Sequence, residues 1–119
     1  MTEKQILTAE TIVQQQLDSY NNRNIDSFMD CFSDDIQAFS FLEHKKTIDG
    51  KEAYRKIFTE VFEQSPNLKA TLVNRIAFDN IVIDHEKIDG RVGVDGQLEM
   101  VMIYEVADNK IYKATAIRK

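Results

Sequence analysis

The sequence has few of the residues that mark several classes of protein. Its 119 residues include one cysteine and two histidines. The lone Cys31 cannot close an internal disulfide, and His44 and His85 lack the spacing of a metal site. We therefore expect a reducing compartment, no structural metal and no cofactor. One proline and four glycines also argue against a fibrous or low-complexity chain.

Long apolar runs and basic clusters are missing as well. A membrane-spanning helix needs about eighteen successive apolar residues, and no stretch of the sequence has so many. Residues Met1–Gln5 do not have the pattern of a signal peptide. The 15 lysines and arginines are scattered and the net charge is −5, which argues against nucleic acid as a partner. The sequence predicts a soluble, cytoplasmic protein that binds neither membranes nor nucleic acid.

What is present indicates one globular domain over residues 1–119. Hydrophobic residues make up 43% of the chain and charged residues 29%, as in an ordinary folded protein. A chain of this length buries one core rather than two.

The first half of the chain has apolar residues at helical spacing. Thr2 and Gln5 have the form of a capping box, and the first helix is predicted to run to about Asn22. Asn24 is a candidate N-cap for a short second helix over Ile25–Phe32.

A short strand and a third helix follow. Ser33–Asp35 is predicted to end the second helix, and Ile36–Leu42 to form a strand. Thr47–Gly50 reads as a turn, with Asp49 as the N-cap of a third helix that stops at Ser65-Pro66.

The second half of the chain alternates with the two-residue period of β-strands. Asp-Asn and Asp-Gly pairs separate the strands as hairpin connections, so neighbouring strands should be antiparallel. The predicted strands are Lys69–Phe78, Ile81–Ile88, Leu98–Val106 and Ile111–Arg118. Three amphipathic helices on one face of a curved antiparallel sheet make an α+β domain that can enclose a cavity.

The sheet face that the helices leave open is expected to be half apolar. Val101, Ile103, Ala114 and Ala116 are predicted to lie on it. An exposed face of this kind predicts a homodimer that forms through the sheet.

Three segments resemble a known family: Leu17–Asn21 (LDSYN), Cys31–Asp35 (CFSDD) and Ile48–Ala53 (IDGKEA). With the order of elements, they resemble the nuclear-transport-factor-2-like superfamily, in its SnoaL-like and ketosteroid-isomerase branch. The resemblance covers nearly the whole chain. It implies a cone-shaped, cystatin-like fold, a dimer through the sheet, and a small apolar molecule bound inside the cone.

The resemblance also implies where a site should lie. The catalytic tyrosine of ketosteroid isomerase falls on Gln16, its proton-shuttling carboxylate on Ser40, and its protonated acid near Met102. None of these groups is retained, so a steroid isomerase of that mechanism is not expected. The same alignment directs His85 into the cone and Asp84 to the far face, with Glu86 beside it.

The predicted site therefore centres on His85. Histidine exchanges protons near neutral pH and is suited to act as a general base, and the Tyr20 phenol is a second catalytic candidate. The other predicted substrate-binding residues are Gln16, Ser40, Phe58, Met100, Met102 and Tyr104. Tyr54 is predicted to belong to the core instead.

Two alternatives stay open at this site. A strand register shifted by one residue would turn Asp84 and Glu86 inward as a pair of acid/base carboxylates. Otherwise both carboxylates face outward and pair with Arg75 or Lys113, on neighbouring strands.

The predicted function is that of a cofactor-independent, proton-transferring isomerase or cyclase that acts on a small apolar carbonyl compound. A non-catalytic dimeric module that binds a small ligand is the alternative. A third possibility is a subunit that docks into a larger assembly through the exposed sheet face.

Overall fold

The computed structural model describes residues 7–118, which form three helices and one six-stranded sheet. The helices are α1 (Ala9–Asn21), α2 (Ile25–Met29) and α3 (Lys51–Gln64). The strands are β1 (Phe32–Ser40), β2 (Lys45–Asp49), β3 (Lys69–Phe78), β4 (Ile81–Asp89), β5 (Leu98–Ala107) and β6 (Lys110–Arg118). The sheet order is β2-β1-β6-β5-β4-β3, and the predicted α+β class is confirmed.

The four strands of the second half pair as predicted, whereas the first half differs. Strands β3 to β6 form an antiparallel meander, but β1 pairs with β6 in parallel. The second helix ends at Met29 rather than Phe32, because Phe32 already pairs with Ile111 of β6. The predicted turn at Thr47–Gly50 is also wrong, since Lys45–Asp49 is an edge strand beside β1. In both places sheet pairing overrides the local pattern.

Side-chain caps account for the starts of the first two helices. Thr8 accepts a hydrogen bond from the Thr11 amide at 3.1 Å, and the predicted capping box of Thr2 and Gln5 lies outside the described residues. Asn24 accepts from the Ser27 amide at 3.1 Å, so its predicted role is confirmed.

The third helix begins differently from the prediction. Gly50 occupies its N-cap, with a φ of 95° and no side-chain cap. Asp49 is therefore not the cap, and its carboxylate accepts a hydrogen bond from Gln37 on β1 at 3.3 Å instead.

A cluster of aromatic rings packs the helices together and against the sheet. Phe28 is 1% exposed, and its ring centroid lies 4.9 to 6.3 Å from those of five other rings. Those rings belong to Tyr20, Phe32, Tyr54, Phe58 and Phe62. Most of these contacts are tilted or edge-on, which suits the charge distribution of aromatic rings.

Two alanines lie on the opposite sheet face from the one predicted. Ala114 pairs with Tyr104, and Ala116 with Met102; directly opposed residues share a face. Both alanines therefore point toward the helices, where their small side chains leave space. Val101 and Ile103 stay half-buried on the outer face. Within residues 7–118, no helix has the length and apolar character needed to cross a membrane.

Candidate functional site

A cavity of about 350 Å³ lies between the helices and the inner face of the sheet. Its walls come from α1, α2, α3 and five strands, so the site depends on the whole fold rather than on one loop. The apolar part of its lining consists of Phe28, Ala38, Ile48, Ile57, Phe58, Ile88, Met100, Met102, Ala114 and Ala116, and the polar part of Gln16, Tyr20, Ser40, Glu43, Thr47, Tyr54, Glu86, Arg91, Tyr104 and Arg118.

Seven of the eight residues predicted for the site line this cavity. They are Gln16, Tyr20, Ser40, Phe58, Met100, Met102 and Tyr104. Their placement is confirmed, while the roles assigned to them stay predictions. Tyr54, predicted to be core only, is buried and also reaches the cavity wall.

His85, the eighth residue, faces away from the cavity. Its side chain is 37% exposed on the outer face of β4, and its Nε2 lies 2.7 Å from Glu99 Oε2. The prediction that His85 points into the cone is wrong. Lys87 shares its face and is half-buried, whereas Val82 and Ile88 lie on the fully buried face. Because Val82 and Ile88 are buried on the inner face, the alternating side chains of β4 place His85 on the outer face, opposite to the prediction.

Asp84 points inward and is held in a buried ion pair. The Arg75 guanidinium donates to both carboxylate oxygens of Asp84, at 2.7 and 2.9 Å, and to Gln14 Oε1 at 2.8 Å. The expectation that Asp84 and Glu86 face outward is wrong, because both are buried on the inner face. Arg75 was one of the two partners predicted for them, and it does pair with Asp84. Asp84 does not reach the cavity lining, so its role is to join β3, β4 and α1.

Glu86 is the carboxyl that opens into the cavity. Its residue is 4% exposed, and no side chain among residues 7–118 makes a hydrogen bond to it. Burial, reinforced by the nearby Asp84 charge, raises the pKa of Glu86 to about 7, against the opposing effects of Arg75 and Arg91. Near neutral pH both protonation states are populated, which is the property a general acid or base requires.

Three tyrosines surround this carboxyl. Burial raises the pKa of Tyr20, Tyr54 and Tyr104, and the negative charge of Glu86 raises each further. They are therefore neutral phenols that can donate a hydrogen bond. The Tyr20 oxygen accepts a bond from Arg91 at 3.4 Å, which leaves its own proton free to point into the cavity.

Two further polar groups face the cavity. Gln16 is 4% exposed, and no group in the described part of the chain makes a hydrogen bond to its side-chain amide. Ser40 Oγ accepts a bond from the Glu43 amide at 3.3 Å. The Gln16 amide can therefore form hydrogen bonds only with water or a ligand within the cavity.

Sequence reasoning missed the two arginines of the lining, Arg91 and Arg118. Arg118 could have been predicted from the sequence, because strand alternation places it on the same face as Ala114 and Ala116. Arg91 had no such signal. It follows Gly90, where φ is 73° and a side chain would collide with the backbone oxygen of Asn67. That close approach fixes the path of the chain into Arg91.

Over residues 7–118, no three histidine, cysteine or acidic side chains lie close enough together to bind a metal ion.

The family model described as "SnoaL-like domain" matches residues 13–114. The chain belongs to the SnoaL-like domain family. This group shares its fold with ketosteroid isomerases and includes isomerases and cyclases. No curated protein matched the SnoaL-like chain.

Solved structures agree on the fold of this SnoaL-like domain. A cystatin-fold protein from Novosphingobium aromaticivorans superimposes with a TM-score of 0.84 at 17% identity, over 95% of this chain and 100% of that one. An NTF2-like protein of unknown function from Cytophaga hutchinsonii gives 0.79 at 14% identity, over 98% and 95%. A protein with a ketosteroid isomerase-like fold from Catenulispora acidiphila, solved with trimethylamine, gives 0.71 at 13%, over 88% and 82%. At these identities the likeness shows the fold alone.

The raised pKa of Glu86 predicts how the stability of the SnoaL-like domain depends on pH. The folded state holds a proton on Glu86 up to about pH 7, whereas an unfolded glutamate loses it near pH 4. The contribution of Glu86 to stability is therefore full at low pH and falls as the pH rises to about 7. Glu86→Gln removes this loss, and should stabilise the domain by about 3 kcal/mol at pH 8 and hardly at pH 4.

Urea denaturation at the two pH values measures this difference. Glu105→Gln is the control, because Glu105 lies on the outer face beside Tyr112 and Lys113. Equal effects of Glu86→Gln at both pH values would contradict a raised pKa.

Proposed function

We propose that this SnoaL-like domain catalyses proton transfer on a small, largely apolar carbonyl compound held in the cavity. The observation that carries the proposal is Glu86: a buried carboxyl with a pKa of about 7 that opens into a cavity with both apolar and polar walls. In the isomerase or cyclase chemistry of the family, such a group takes a proton from one carbon and returns it to another.

The surrounding groups suit the two halves of this reaction. The ionised Glu86 would abstract a proton from the carbon next to the carbonyl, and charge would develop on the carbonyl oxygen. Neutral phenols at Tyr20 and Tyr104, with the Gln16 amide, can donate hydrogen bonds to that oxygen from buried positions. The protonated Glu86 would then return the proton, so atoms and charge balance without a cofactor.

Methionines and alanines shape the rest of the pocket. Met100 and Met102 line it from β5, and their flexible side chains adapt to ligands of different shape. The partner of Met102 across the sheet is small, since Met102 pairs with Ala116. We propose a compact cyclic or branched substrate on this basis. The homodimer through the outer face, where Ile83, Val101 and Ile103 lie, remains part of the proposal.

Deuterium exchange tests the proton transfer without knowledge of the natural substrate. The protein is incubated in heavy water with a panel of cyclic ketones, and loss of the α-proton signals is followed by NMR. We expect enzyme-dependent exchange that rises with pH through about 7 and then levels off, because the base is the ionised form. Glu86→Gln should lower the rate by about 10²-fold or more.

Glu105→Gln provides the matched control, as it removes a carboxylate from the outer face. Undiminished exchange in Glu86→Gln would disprove the assignment of the base. Binding of a ketone without any exchange would instead favour the non-catalytic binding module, which the absence of the isomerase groups at Gln16 and Ser40 supports.

A further inference from the structure

Two arginines line the cavity without an ion pair to any described carboxylate. The lining residues that are also solvent-exposed are Glu43, Thr47, Ile57 and Arg118, and they mark the opening. Arg91, half-buried, lines the same cavity. Across the described residues, neither arginine forms an ion pair with a carboxylate. This is unusual in a chain with a net charge of −5, where acidic partners are plentiful.

The acidic groups nearby are already engaged or lie deeper. Glu43 is paired with Lys45 at 2.8 Å. Glu86 lies inside the cavity and is half protonated near pH 7. Neither guanidinium is therefore paired with a carboxylate among the described residues, although the partly ionised Glu86 lies near enough to Arg91 to feel its charge.

Arg91 is held in place with most of its donors unused. Its guanidinium carbon lies 5.8 Å from the centre of the Phe58 ring, and one N–H donates to Tyr20 at 3.4 Å. A guanidinium has five N–H donors in a planar fork. The cation–π contact with Phe58 helps to hold the guanidinium in place, while its remaining donors stay available to an acceptor in the cavity.

Arg118 reaches the same space from the end of β6. It pairs with Met100, a cavity residue of β5, and its side chain lies on the inner face with Ala116. No described residue accepts a hydrogen bond from its guanidinium. Two arginines from separate elements therefore border one cavity with free donors.

We propose that the ligand of the cavity is an amphipathic anion, with an apolar body inside the cavity and a carboxylate held at the opening by Arg91 and Arg118. Arginine forks match the geometry of a carboxylate and form two charge-assisted bonds to it. The inference rests on the proposed function, because both concern the same cavity. The substrates would then be carbonyl compounds that also carry a carboxylate. A neutral ligand would leave both guanidinium groups without a partner.

The test compares 1-naphthoate with 1-naphthamide, a neutral compound of the same shape, by titration calorimetry. Neither compound has α-protons, so binding is measured independently of proton transfer. We expect naphthoate to bind about tenfold or more tightly than naphthamide. Arg91→Gln and Arg118→Gln should each remove most of this preference and leave the affinity for naphthamide within about twofold, which also shows that the cavity is intact.

Arg55→Gln is the matched control, because Arg55 is an exposed arginine of α3 paired with Asp26 and should leave both affinities unchanged. Equal binding of the two compounds would overturn the inference, as would a preference that survives in the double arginine variant. Failure of naphthoate to bind at millimolar concentration would also overturn it.

The outcomes separate the two proposals. A preference for naphthoate without exchange of ketone protons would leave the anion site standing and refute the catalytic role of Glu86. Exchange of neutral ketones without a preference for naphthoate would do the reverse.

Discussion

Arg75→Ala should lower the free energy of unfolding by about 3–5 kcal/mol, because it leaves the buried Asp84 charge without its partner. The side chains of Arg75 and Asp84 are only 10% and 1% exposed, so water cannot replace the lost bonds. The variant also loses the bond to Gln14 that ties α1 to the sheet. Chemical denaturation monitored by circular dichroism measures the change.

The matched control is Arg55→Ala, whose pair with Asp26 has side chains 49% and 80% exposed and should contribute no more than about 1 kcal/mol. A double variant, Arg75→Met with Asp84→Leu, should lose less stability than Arg75→Ala, since no buried charge remains. Equal losses at Arg75 and Arg55 would show that burial does not determine the strength of this pair.

Phe28→Ala is expected to destabilise the protein by about 3–5 kcal/mol as well, through the cavity it leaves in the aromatic cluster. Phe28 contacts five rings and is 1% exposed. Phe41→Ala, at a site 49% exposed, removes the same side chain from the surface and should change stability by less than about 1 kcal/mol. Thermal and urea unfolding of the two variants give the comparison.

Phe28 also lines the functional cavity, so its removal should enlarge the pocket. Loss of less than about 1 kcal/mol in Phe28→Ala would mean that neighbouring rings collapse into the vacated space.

The two inward carboxylates of β4, Asp84 and Glu86, differ in protonation and in role because their surroundings differ. Asp84 is neutralised by Arg75 and fixes the structure. Glu86, two residues along the same face, lacks such a partner among the described residues and titrates near pH 7. The Asp84 charge helps to raise the pKa of Glu86, and Arg75 lowers it. The Asp84–Arg75 pair and Glu86 are thus electrostatically linked.

The sequence by itself was sufficient for the elements whose signals are local. The Asp-Asn and Asp-Gly turns placed β3 to β6 to within one or two residues, because such turns demand particular backbone angles. Asn24 identified the start of α2 through its own side chain. The family resemblance added the cone and part of its lining, since it compares a whole pattern of elements.

Other features depended on contacts between distant parts of the chain. The parallel pairing of β1 with β6 has no local signal. The face of β4 was equally undetermined, because Ile81, Val82 and Ile83 are apolar and a period of two gives two sets of residues without saying which is inside. Lys87 and Ile88 favoured the observed choice, but charge on Asp84 and Glu86 pointed the other way.

Sequence therefore determined the class of fold, the four strands of the meander and seven of the residues that line the cavity. Tertiary structure decided which ionisable groups enter the cavity. Arg75 makes burial of Asp84 tolerable, and with Val82 and Ile88 inside, Glu86 must follow while His85 turns to solvent. The free energy that decides which face of a strand is buried is the sum over all its side chains and their partners. No single residue could therefore reveal the orientation of β4.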